Sequence, residues 1–141
     1  MAYCHINHLA VWVAALVYFA IGGLWYAPFL FGRQWMALNR MSETDRAANL
    51  KDKGGMAVLL GISFVGGLVS LYVLAYLLSF MHIYSAMGGA LLGLLLGLAF
   101  TLAPVGVANL FSARSFVLTL IDAGYVVLAF TMCGALLGAW R

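Results

Sequence analysis

Four apolar stretches, none broken by a lysine or arginine, decide what this chain can fold into: Leu9 to Ala27, Met56 to Phe80, Ala86 to Val107 and Phe116 to Ala139. Each is long enough to cross a hydrocarbon core about 30 Å thick, which takes about 20 helical residues. Lipid offers no hydrogen bonds, so each run must satisfy its own backbone; this predicts helices, and the runs are too long for barrel strands. Hydrophobic residues make up 66% of the 141 and charged residues 8%. A soluble chain this small has too much surface to hide that much apolar matter, whereas a bilayer covers it. The expected fold is all-α: an integral membrane four-helix bundle forming a single domain over residues 1–141. The N-terminal run has no lysine or arginine ahead of it and is too long for a signal peptide, so it is read as an uncleaved first span.

The connections fix the neighbours. Spans two and three are separated only by residues 81–85, and spans three and four by a short turn near 109–115, so both pairs run antiparallel. The long connection covers residues 29–55. Its first part mixes Phe29, Phe31, Trp35 and Met36 with Arg33 and Arg40, a pattern suited to a segment lying in the headgroup plane. Ser42-Glu43-Thr44-Asp45 then reads as a helix start, with Ser42 as N-cap and Asp45 as its reciprocal partner. The short helix is expected to end near Leu50, with Gly54-Gly55 making the break before span two.

Basic residues set the orientation. Arg33, Arg40, Arg46, Lys51 and Lys53 lie in the first loop and Arg114 in the third, against Arg141 on the other side. This bias predicts cytoplasmic first and third loops and both termini outside. The sparse basic residues form no stripe suited to nucleic acid, and the expected partners are the bilayer, a second copy or another membrane subunit. Trp25, Tyr26 and Trp35 form the expected inner aromatic belt, with Tyr84 and Trp140 on the outer side.

Span three carries Gly89, Gly93 and Gly97 at four-residue spacing. Gly66 and Gly67 in span two and Gly134 and Gly138 in span four offer further small positions. Small residues let helix backbones approach closely in lipid, so these glycines are expected to pack helices, either within the chain or between copies.

Asp122 is the one acid inside a predicted span. It lies roughly 9 Å past Phe116 at 1.5 Å per residue, in the loop-side third of the membrane. An ionised Asp at a helix centre costs about 2.5–3.5 kcal/mol, so it should face protein or water. Asn109, Arg114, Tyr125 and Tyr26 are its expected partners. Either a coupled transport site or a structural polar cluster fits this pattern. On the opposite side, Cys4, His5, His8, His82 and Cys133 join Met1, Met81, Met87 and Met132 at one rim. Thiolate, thioether and imidazole suit copper(I), but no strict metal motif is present, and no metal or other cofactor is expected. A Cys4–Cys133 bridge stays open in an oxidising compartment.

Nucleophile elbow, phosphate-binding loop, zinc spacing and HExxH are all missing, so an enzyme is not expected. Several short motifs resemble an uncharacterised bacterial family of small membrane proteins, domain of unknown function 1761: Asn7 to Val11, Gly23 to Pro28, Phe31 to Met36, Ile121 to Tyr125 and Gly134 to Trp140. The resemblance implies a four-span bacterial membrane protein and brings no activity, substrate or cofactor. The leading reading is a homo-oligomeric permease or channel-like protein for a small solute or ion, with Asp122 on the path. The alternatives are a structural or accessory subunit of a membrane complex, and an outer-face metal-handling protein.

Overall fold

The computed structural model describes residues 6–140, and every regular element among them is a helix. The order is α1 (His8–Trp25), α2 (Gly32–Leu38), α3 (Glu43–Lys51), α4 (Lys53–Phe80), α5 (Ala86–Phe111) and α6 (Phe116–Ala139). Helices α1, α4, α5 and α6 are long and apolar enough to cross a bilayer, as in a multi-pass membrane protein. Large side chains such as Leu59, Ile62, Val65, Leu91, Leu95, Phe100 and Phe111 stay exposed on them. On a water-soluble monomer such a surface would be a liability, and against acyl chains it is not. Met1, Cys4, His5 and Arg141 lie outside the described residues.

Local sequence explains where the helices start. The side chains of Asn7, Asp52, Ser85 and Ser115 each accept a first-turn backbone N–H, from Ala10, Gly55, Gly88 and Val117. Ser42 and Asp45 form the reciprocal capping box that their spacing predicts. The break before the second span falls at Asp52. Gly54 and Gly55 instead lie in the first turn of α4, because the Asp52 carboxylate caps that turn and fixes its start.

Three helix ends close without glycine. Arg40, His82 and Ala113 take φ values of 55°, 55° and 51°. Each allows the next N–H to reach back to a carbonyl in the last turn: Met41 to Met36, Ile83 to Leu78 and Arg114 to Asn109, at 2.9–3.0 Å. These are Schellman ends, which normally use glycine at the left-handed position.

The third span, expected to close at Val107, reaches four residues further and passes Pro104 on the way. The helix runs on to Phe111 through a π-helical turn at Leu98–Leu102, where the Ala103 N–H reaches back five residues to the Leu98 carbonyl. Widening the helix by one residue accommodates the ring that would otherwise collide with the preceding turn.

Helix α6 is the centre of the assembly. Helix α5 packs along one side of it and α1 along another, with α4 outside α1. A core of Ala10, Val11, Ala14, Leu71, Leu74, Leu78, Cys133 and Leu137 joins α1, α4 and α6. The α5–α6 seam is made by glycines. A methyl group added at Gly89 would overlap the Gly134 carbonyl oxygen, one at Gly93 that of Phe130, and one at Gly138 that of Ser85. At Gly97 it would come within 2.8 Å of the Val127 Cα. The glycine ridge therefore meets a partner within the chain. Gly67 packs on the Tyr18 ring, whereas Gly66 faces open space.

Candidate functional site

The site is built where the end of α1 and the interfacial helix α2 fold onto the first half of α6. After Trp25 the chain turns tightly, with the Phe31 N–H bonded to the Trp25 carbonyl at 3.2 Å and the Gly32 N–H to the Ala27 carbonyl at 3.1 Å. Gly32 is needed there, because a Cβ would overlap the Tyr26 carbonyl oxygen. The turn returns α2 to the bundle and aims three aromatic donors at α6. Trp25 donates its indole N–H to the Ile121 carbonyl at 2.9 Å. Tyr26 donates its hydroxyl, and Trp35 its indole N–H, to the same oxygen of Asp122, at 3.1 and 2.8 Å.

Asp122 is half-buried, and these two aromatic donors are its partners. Tyr26 is the one expected partner that reaches it. Asn109 instead donates to the Thr119 hydroxyl at 2.9 Å in a buried pair that fixes the α5–α6 turn. Arg114 lies exposed past that turn, and the Tyr125 hydroxyl donates to Tyr18 at 3.2 Å. The physical reason is direction: Tyr125 lies three residues beyond Asp122 on α6 and faces α1, while Asn109 and Arg114 belong to the turn below it. Trp35 was legible as an interfacial aromatic but not as a ligand of Asp122, since nothing local says that α2 folds back.

Beside this cluster an open cleft of about 330 Å³ lies between α1 and α4, lined by Tyr18, Phe19, Gly22, Gly23, Tyr26, Leu60, Ser63 and Tyr125. Its aromatic wall is continuous: Tyr125 meets Tyr18 and Tyr26 edge-on at centroid distances of 5.7 and 5.6 Å, and Tyr26 meets Trp35 at 5.7 Å. Gly22 leaves room for the Tyr125 ring, 3.4 Å from where its Cβ would stand. Asp122 sits behind Tyr26 and does not line the cleft. Small, concave, largely apolar spaces with a few convergent polar groups are the ordinary form of a ligand site.

A family model described as "Protein of unknown function (DUF1761)" matches residues 9–138. The chain belongs to that family. No curated protein and no solved structure matches it.

The opposite rim is less assembled than its composition suggests. Cys133 is a free thiol buried in the core, donating to the Ala14 carbonyl at 3.3 Å, so it is not a surface ligand. His8 pairs with Tyr72 and His82 with Tyr84, each at 3.2 Å. The described residues hold no group of three His, Cys, Asp or Glu side chains that could hold a metal ion. Cys4 and His5 fall outside the described residues.

Proposed function

We propose that this chain is a homo-oligomeric membrane permease for a small solute, and that the tyrosine-lined cleft receives it. The observation that carries the reading is an aromatic cleft whose Tyr26 hydroxyl is bonded to an intramembrane carboxylate. Tyrosine faces attract cations, and a half-buried carboxylate stands behind them. A small organic cation is the solute that this chemistry fits. The cleft opens between two spans, so entry is from the side, through the bilayer. The protein resides in a bacterial inner membrane with its first and third loops in the cytoplasm, as the bias of basic residues indicates.

The test is uptake of a fluorescent lipophilic cation by proteoliposomes. The wild-type chain is expected to load them above empty liposomes, and Asp122→Asn to abolish uptake while the protein still elutes as the same oligomer. Absent uptake by the wild type, or undiminished uptake by Asp122→Asn, overturns the reading.

One observation favours a second reading, an accessory subunit. Gly66 on α4 has open space around it, and the Ser63 and Ser70 hydroxyls on the same side are turned back onto their own helix, to Leu59 and Gly66. That leaves a face on which another helix can approach closely. Purification with a stoichiometric second membrane subunit supports this reading, and self-association through the same face supports the first.

A further inference from the structure

We infer that the cleft at the loop end of the bundle, walled by Arg40 and Arg114, is a binding site for the phosphate headgroup of an anionic phospholipid. The cleft measures about 390 Å³, within the range of roughly 300–1,000 Å³ usual for ligand sites. It is separate from the tyrosine cleft, and no residue lines both. Asn39 and Arg40 reach it from the end of α2, and Arg114 and Ser115 from the turn between α5 and α6. Two elements more than 70 residues apart in sequence thus bring two guanidinium groups to one concavity, with no carboxylate among its described lining residues. Among the described side chains, neither arginine is paired with Asp45, Asp52 or Asp122.

The backbone prepares the site. Arg40 itself occupies the left-handed position that closes α2, and Arg114 follows the left-handed Ala113 that closes α5. Both arginines thus sit on hydrogen-bonded helix ends rather than on open loops. Exposed carbonyls at a helix end would repel an anion. Here the carbonyls of Met36, Ala37, Asn109 and Leu110 are each taken by a backbone N–H of the closing turn. The Ser115 oxygen accepts the Val117 N–H, which leaves its hydroxyl hydrogen free to donate. Guanidinium groups bind phosphate in a paired, planar fashion that suits two arginines on one headgroup.

The source of the phosphate follows from the remaining wall. Leu38 and the buried Leu118 line the same cleft, and Leu118 belongs to the first turn of a span. A site that is basic outside and apolar at the hydrocarbon border fits a headgroup with acyl chains attached.

Thermal unfolding of the full chain in neutral detergent, titrated with phosphatidylglycerol, phosphatidylcholine or inorganic phosphate, tests this. Phosphatidylglycerol is expected to raise the midpoint at lower concentration than phosphatidylcholine does. Arg40→Gln/Arg114→Gln should weaken it by about 25-fold, about fivefold for each arginine. Arg33→Gln, exposed on α2 outside the cleft, should leave it unchanged. Protection by inorganic phosphate alone, lost in the double variant, would keep the two-arginine site but assign it to free phosphate. Equal binding of the two lipids, or full phosphatidylglycerol binding by the double variant, overturns the inference. Native mass spectrometry of the wild type with both lipids in equal amounts decides the question without any variant.

Discussion

The two faces of α6 are built on opposite principles. Toward α5 it is a seam of glycines, where backbone touches backbone and nothing larger than hydrogen fits. Toward α1 and α2 its first half meets a wall of aromatic side chains that stand the helices apart, leave a cleft and spend their polar atoms on Asp122 and the Ile121 carbonyl. In lipid there is no hydrophobic drive between helices, so a seam must gain dispersion from close approach or energy from hydrogen bonds. This helix uses one on each side. The close seam is rigid and holds no space. The aromatic side keeps an open cleft, the space the proposal assigns to a solute.

The contrast is broken most severely at the close seam. Gly93→Leu places a side chain into the Phe130 carbonyl, and the helices must separate to admit it. A loss of more than about 3 kcal/mol, or failure to recover folded protein, is expected. Gly66→Leu, which meets nothing, should change the stability of the isolated chain by under about 0.5 kcal/mol. Denaturation of the purified protein in mixed micelles compares the two, and equal effects would erase the distinction between the seams.

On the aromatic side the expected losses are smaller and local. Trp35→Phe removes the 2.8 Å bond to Asp122 but keeps most of the ring. It should cost about 1–2 kcal/mol and loosen α2 before the spans. Faster amide exchange at residues 32–38, with unchanged exchange in α5, is the outcome to look for. Uniform loosening of both would mean that the two faces are not independent.

The smallest effect lies outside both faces and serves as their control. The Asp45 carboxyl is held below its ordinary value of 3.8 by the hydrogen bonds it receives from the Ser42 side chain and backbone N–H. Its contribution to the start of α3 is therefore complete above that ordinary value and is lost as pH falls through the lowered one. Exchange of α3 amides should quicken only in that acid window, and Ser42→Ala should shrink the pH dependence to the part carried by the backbone N–H of residue 42. A midpoint shift of the whole bundle in the same window would contradict a purely local role.

Much of the scaffold was legible because its causes are local. Four uninterrupted apolar runs give four spans, and Ser42 announces a helix start through atoms within three residues of itself. Where local signals competed they misled. Gly54-Gly55 looked like a break because glycine disfavours helix, but Asp52 caps the turn that contains it. The third span was bounded at Val107, but the helix runs to Phe111, carried past Pro104 by a π-helical turn. Arg40, His82 and Ala113 closed helices at positions where no glycine marks an end.

The sequence by itself determined the medium, the number of spans and their antiparallel order, because hydrophobic length and short connections act along the chain. Tertiary structure alone decided that the glycines of α5 meet α6 within one chain, that Asp122 takes Tyr26 and Trp35, and that Arg40 and Arg114 share a cleft. Those partners lie up to 96 residues apart. Which of them meet depends on how helix faces rotate against each other, a choice made by the fit of whole surfaces and written in no single segment.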